Sequence, residues 1–308
     1  MRKTRQPLYL GGHRGLGVTD HNIYKNIREV QKKPAENTLA SVQAAFLSGA
    51  DYVEIDAQMS KDKIIFCLHN VNPEDHFFAN SKPQQYLNLL DFKEIKKFKI
   101  GRNCKDKVAK LSEILKITKK LAPNTLGWKI NIEVKGVQGT NQKYENNEFL
   151  KRLVLEVKKQ KFPLEQTLWS SFCLENLIKI SQLSPKSNFG FLFSEQTRAK
   201  PIYIDKKNNF KFQYLPFNKR NINKVLKTWR QEAEQKSKLV YLHPELTTVK
   251  IEQLGFLKDK NIGLNCWISL EKNSKRFKVK TKRIIKKIKK SKIFFSLITD
   301  SIKLYRDI

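Results

Sequence analysis

The stretch Gly49–Asn70, G-A-D-Y-V-E-I-D-A-Q-M-S-K-D-K-I-I-F-C-L-H-N, decides how the rest of the chain is read. Two apolar runs rich in β-branched residues, Tyr52–Gln58 and Ile64–His69, predict two strands. Only a short S-K-D-K link separates them. A parallel crossover needs about a dozen residues or more, so this link predicts a hairpin. With the turn near Lys61 and Asp62, the antiparallel register sets Glu54 opposite His69.

Seven more strands are predicted on either side: Leu8–Gly12, Lys129–Lys135, Thr167–Phe172, Asn188–Phe193, Leu239–Leu242, Gly263–Ile268 and Phe294–Thr299. Helical patterns fall between them. Asn37 or Thr38 can cap a helix through A-S-V-Q-A-A-F-L that ends at Gly49. Leu111–Leu121, Lys151–Lys159 and Asn221–Lys236 carry amphipathic spacing. Setting aside the returning arm Ile64–His69 leaves eight strands alternating with helices. That is the pattern of an α/β (β/α)8 TIM barrel with an extra antiparallel hairpin arm after the second strand. A chain of 308 residues suits one such domain over residues 1–308.

Side chains alternate along a strand, so Glu54 and Asp56 share one face while Val53 and Ile55 share the other. In K-I-N-I-E-V-K, Asn131, Glu133 and Lys135 point one way, and Ile130, Ile132 and Val134 point outward to the helices. Ionisable groups at the C-terminal ends of barrel strands face the mouth, where they need a cation, each other, or a charged ligand. Glu54, Asp56 and Glu133 are hard oxygen donors suited to one Mg²⁺ or Ca²⁺. A salt-bridge network with Lys135 is the plainer reading. His13 and His69 also end strands, and two imidazoles beside carboxylates can move protons on either side of a phosphate.

Lys and Arg number 61 against 29 Asp and Glu, a formal charge of +32. Spread-out lysine is ordinarily a solvated surface, but such a field also draws anionic partners. Lys272–Lys292 concentrates twelve Lys or Arg around a stripe of Phe277, Ile284, Ile285 and Ile288. This stretch is expected to hold the seventh barrel helix, with a basic outer face suited to phosphate or an anionic membrane surface. The cysteines (Cys67, Cys104, Cys173, Cys266) have no C-x-x-C spacing and are read as reduced thiols, three of them packed in strands. No apolar signal region or span of ~20 apolar residues is present, and cytoplasmic location is the expectation.

Short motifs then point further. H-R-G at 13–15, A-E-N-T at 35–38, G-A-D-Y-V-E-I-D at 49–56 and H-N at 69–70 resemble the glycerophosphodiester phosphodiesterases. I-E-V-K at 132–135, S-S-F at 170–172, L-H-P at 242–244, C-W-I at 266–268 and I-T-D at 298–300 continue the likeness in order. The resemblance implies a barrel enzyme, a phosphoric diester hydrolase that converts small glycerophosphodiesters to glycerol 3-phosphate and an alcohol. It implies one divalent cation at Glu54, Asp56 and Glu133, and acid–base catalysis by His13 and His69. It also places Arg14 and Lys135 on the phosphate and Trp267 in the glycerol or alcohol pocket, although Trp267 could equally be a core residue of the seventh barrel strand.

Four features depart from the family pattern. Ala35 stands where Pro usually precedes E-N-T, Asn70 replaces an Asp, Ser301-Ile302 replaces Arg-Pro, and the loop from Leu16 to Lys33 is long. That loop carries His21, Tyr24 and Arg28 and is read as a surface loop, with a cover over the mouth as the alternative. His76 is placed in a polar connection, and His243, before Pro244, could reach the rim. Asp300 ends a strand but suggests only backbone bonding. Two alternatives stand: a lysophospholipase D or phospholipase C-like enzyme on the same scaffold, or a basic protein whose function is binding nucleic acid or a membrane surface. Specific nucleic-acid binding is not expected, because it leaves the ordered carboxylates and histidines unexplained.

Overall fold

The computed structural model describes residues 7–17, 33–73, 82–101, 105–135, 145–195, 214–234, 237, 239–268 and 275–308. Loop residues His21, Tyr24 and Arg28, together with His76 and Cys104, lie outside the described residues.

Twelve strands are described: β1 Tyr9–Gly12, β2 Tyr52–Met59, β3 Ile65–Cys67, β4 Lys99–Ile100, β5 Asp106–Lys107, β6 Ala109–Lys110, β7 Ile130–Val134, β8 Thr167–Ser171, β9 Asn188–Leu192, β10 Leu239–His243, β11 Gly263–Ile268 and β12 Phe295–Thr299. Eight of them pair in parallel in the order β1-β12-β11-β10-β9-β8-β7-β2, and β1 pairs β2 to close the barrel. The helices between these strands are α1 Leu39–Leu47, α2 Leu111–Leu121, α3 Glu145–Lys159, α4 Leu174–Leu183, α5 Lys219–Glu232, α6 Glu252–Asp259 and α7 Lys275–Lys290. The (β/α)8 reading holds, and α7 is the basic seventh helix.

The sequence pattern is realised as two layers. Val53, Ile55, Ile130, Ile132 and Val134 point outward and pack against helix residues such as Val42, Ile114 and Leu153 in the main core. Inside the barrel, Tyr52, Trp128, Leu168 and Ile298 form a second apolar layer. Trp128, Tyr241 and Phe294 close its lower end with ring centroids 4.6–5.4 Å apart. One glycine is required here: a Cβ on Gly190 would lie 2.1 Å from Nε2 of His243. At α1, Thr38 is the N-cap and forms a reciprocal capping box with Ser41, which satisfies backbone N–H groups that the helix leaves open.

The hairpin arm is present, with its register shifted by one residue. β2 pairs β3 as Ala57–Cys67, Gln58–Phe66 and Met59–Ile65. Extended upward, this sets Glu54 opposite Asn70, not His69. The cause is an odd-length turn centred on Asp62. Ser60 N–H donates to the Ile64 carbonyl at 3.0 Å, and Lys63 takes a left-handed φ of 65°. The ladder ends before His69, so strand alternation does not fix its ring. β3 also pairs β6, and a satellite core of Phe66, Leu68, Leu87, Phe92 and Val108 lies beneath the arm. Cys67 and Cys266 lie in strands, whereas Cys173 is the N-cap position of α4; all three are buried free thiols.

Candidate active site

β2 and β7 lie side by side with Asp56 paired to Glu133, so their inward side chains meet at the mouth. One carboxylate oxygen from each of Glu54, Asp56 and Glu133 lies within 4.8 Å of the others. Oxygens bound to one hard cation at ~2.0–2.6 Å can be separated by up to about 5.2 Å, so this spacing suits a shared ion.

The surroundings are tightly built. Arg14 sits at φ 50° directly after β1, and this turn sends its N–H to Glu54 Oε2 at 2.8 Å. Its guanidinium meets Glu36 Oε2 at 2.7 Å and Asp56 Oδ2 at 3.4 Å. Asn37, at φ 59°, makes a reciprocal pair with Asp56: its Nδ2 donates to Oδ2 at 2.8 Å, and its Oδ1 accepts the Asp56 N–H at 2.9 Å. Lys135 Nζ bridges Glu133 Oε1 at 2.6 Å and Asp56 Oδ1 at 3.0 Å. The expected Lys135 network therefore exists and coexists with the carboxylate cluster.

Among the described residues, Glu36, Asp56 and Glu133 make ion pairs with Arg14 and Lys135, and Glu54 joins Asp56 and Glu133 in the carboxylate cluster. The buried Glu54 Oε1 has no hydrogen-bond partner among the described residues. A buried lone carboxylate oxygen is costly to leave unmatched. Burial, and then the Asp56 charge, push the Glu54 carboxyl up to about 8. Burial also raises Glu133, with Asp56 adding to it against the pull of Lys135. For Asp56 burial acts upward too, but Lys135, His69, Arg14 and the Asn37 hydrogen bond hold it well below the ordinary carboxylate range. An added cation would relieve this repulsion at Glu54.

The two imidazoles differ. His13 Nδ1 bonds Asp300 Oδ1 at 2.7 Å, and the His13 backbone N–H donates to the Thr299 carbonyl. Burial works against the imidazolium, but the Asp300 charge and hydrogen bond prevail and raise its pKa. Asp300 is thus an orienting carboxylate, a role that the strand-end reading did not give it. For His69, burial and the nearby Arg14 and Lys135 drive the pKa well below its ordinary value. Its Nδ1 has no hydrogen-bond partner among the described residues.

The far wall is quieter. Trp267, on β11 across the barrel from β7, directs its indole N–H to the Phe193 and His243 carbonyls at 3.3 and 3.2 Å. It packs partly on the inner apolar layer and keeps partial exposure. His243 does not reach the rim. It is fully buried within the barrel, and burial depresses its pKa to about 3. Phe172 and Tyr214 form an edge-to-face pair at 4.9 Å, and the Tyr214 phenol lies close enough to sense Lys135 and Glu133. That aromatic edge carries no sequence signal beyond the S-S-F run.

The Glycerophosphoryl diester phosphodiesterase family model matches residues 13–283. No curated protein matches the chain. Among solved structures, the chain resembles a phosphodiesterase from Oleispira antarctica in complex with the product sn-glycerol-3-phosphate. The likeness has a TM-score of 0.64 at 16% identity and covers 98% of this chain and 96% of that one. It also resembles glycerophosphodiester phosphodiesterases from Agrobacterium tumefaciens (TM-score 0.61, 14% identity, 98% and 100% covered) and Thermotoga maritima (0.59, 19%, 97% and 97%). At these identities the structural likeness carries the fold.

Proposed function

The chain belongs to the Glycerophosphoryl diester phosphodiesterase family, and we propose that it hydrolyses glycerophosphodiesters to glycerol 3-phosphate and an alcohol at the β1–β2–β7 mouth. The observation that carries this reading is the convergence of Glu54, Asp56 and Glu133, with a buried Glu54 oxygen lacking a partner among the described residues. We assign these three residues as ligands of one Mg²⁺ or Ca²⁺. When bound, the cation would supply Lewis-acid polarisation of a phosphoryl oxygen.

The remaining roles fall to this chain's own groups. Asp300 engages Nδ1 of His13, which leaves Nε2 as the nitrogen that can exchange a proton with the ester. His69 supplies the second imidazole. One ring accepts a proton from the attacking water or substrate hydroxyl, and the other delivers one to the departing alkoxide. Arg14 and Lys135 provide positive charge against the phosphoryl oxygens; their positions are set by Glu36, Asp56 and Glu133. Trp267 is assigned to the wall that receives the glycerol or alcohol.

The test is an assay of chelator-treated protein with glycerophosphocholine and glycerophosphoethanolamine, before and after readdition of Mg²⁺ or Ca²⁺. Release of glycerol 3-phosphate only after readdition is expected. Hydrolysis indifferent to chelation would refute the metal assignment. Turnover of lysophospholipids in place of the soluble diesters would move the substrate to the lysophospholipase D alternative.

A further inference from the structure

Outside the mouth, a groove of about 870 Å³ runs between α6 and α7. Its floor is aliphatic and includes Ile284 and Ile288. At its lip Ile251 is 52% and Val279 51% exposed, among the few large apolar side chains so placed. Lys250, Lys280, Arg283 and Lys287 border it with a single acid, Glu252, and none of these four cations makes an ion pair among the described residues. The helix α7 carries ten Lys or Arg in its 16 residues and no acid. Exposed aliphatic groups flanked by unmatched cations are the arrangement that the core does not require and that water does not favour.

We propose that this face is a docking surface for an anionic phospholipid membrane. Lysine and arginine within a few ångströms of acidic headgroups gain from the surface potential, while aliphatic side chains enter the headgroup–acyl boundary. The other candidate occupants match less of the surface. Single-stranded nucleic acid stacks on aromatic rings, and the lip here is aliphatic. A second copy in a two-fold dimer would set one basic face against another. Docking is peripheral, since among the described residues no helix is long and apolar enough to cross a membrane. The upper end of the groove is formed where the chain leaves β10 at the mouth and enters α6, so the docked face borders the rim of the proposed site.

The experiment is co-sedimentation of the full chain with vesicles of phosphatidylcholine alone and of an equal mixture of phosphatidylcholine and phosphatidylglycerol. The mixed vesicles are expected to bind the protein and the neutral ones to leave it in solution. The triple variant Lys280→Glu/Arg283→Glu/Lys287→Glu should weaken partitioning by at least ~100-fold, because each reversal both removes and inverts a charge at the surface. Ile251→Ser/Val279→Ser should weaken it about tenfold by removing the aliphatic contact. A charge-matched control on exposed positions of other helices, Lys151→Glu/Lys159→Glu/Lys227→Glu, should stay within roughly threefold, the screened long-range share of the field. All variants should keep the wild-type melting temperature, since the changed side chains are exposed. Equal loss in the control, no effect of the serine pair, or no preference for anionic vesicles would each overturn the proposal. Tighter binding to a DNA duplex that displaces the vesicles would also overturn it and make nucleic acid the occupant.

Discussion

The two halves of the barrel mouth are built from the same strand ends and carry opposite chemistry. The β1–β2–β7 side gathers Arg14, Asp56, Glu133 and Lys135 within ion-pair reach, with Glu54 on the Arg14 backbone N–H and His13 and Asp300 beside them. On the β9–β10–β11 side Trp267 keeps partial exposure, with Gly190, His243 and Asn265 buried below it. Its histidine is held neutral by burial, and Asn265 is tied to Tyr52 and Ser296 at 2.6 and 2.7 Å. The charged half brings carboxylates and cations into direct contact, whereas the quiet half carries no charge: burial keeps His243 neutral, and its Nδ1 has no partner among the described residues. Charged groups thus gather on one side of the barrel, and the opposite wall is neutral.

The predictions sharpen that division. The largest effect is expected on the charged side: His13→Ala and His69→Ala, made separately, should each lower kcat by ~10²–10⁴-fold in a diester hydrolysis assay. Near-normal turnover by either variant would break the two-imidazole scheme. Asp300→Asn keeps the shape of its partner but removes the charge that favours the His13 imidazolium. It should cost ~10–100-fold in kcat and shift the acid–base limb of the pH–rate profile toward lower pH. An unshifted profile would reduce Asp300 to a packing role. On the quiet side, Trp267→Ala should raise KM about tenfold while kcat changes little, as expected for lost apolar contact that is equal in ground and transition states. His243→Gln should leave metal binding and kcat unchanged and lower the unfolding free energy by ~1–3 kcal/mol, measured by denaturant titration. A large activity loss there would erase the contrast between the halves.

Much of this arrangement was legible in the chain. The eight barrel strands and the arm follow from apolar runs and from a link too short for a crossover, and Leu111–Leu121 is a helix over those same residues. Glu54, Asp56 and Glu133 could be placed together because period-two alternation fixes facing once the strands are known. What escaped was set by contacts distant in sequence or by turn detail. The hairpin register depended on one extra turn residue with Lys63 at positive φ. Asp300 acquired its partner from β1, 287 positions away, when the barrel closed. Asn37 and Thr38 both read as possible helix caps; Thr38 takes that place, and the bracing of Asp56 by Asn37 had no signal in the sequence. The short ladders of β4, β5 and β6 have two residues each, too few to show periodicity.

The central claim is that the Glu54 oxygen belongs to a cation. With Glu54 raised to about 8, cation binding must expel its proton, so affinity should climb by up to ~tenfold per pH unit as pH approaches 8 and flatten above it. The same shift means that the metal-free fold binds this proton more tightly than the unfolded chain does. Its contribution is therefore fully present below the ordinary 4.5 and is lost as pH rises toward 8. Calorimetric titration of chelator-stripped wild type and Glu54→Gln with Mg²⁺ and Ca²⁺ at alkaline pH tests this most directly. The account predicts one ion per wild-type chain and none for Glu54→Gln, whose metal-free form should melt about 2–4 °C higher for each kcal/mol of relieved repulsion. Identical isotherms for the two proteins, or a wild type that binds no ion, would contradict it.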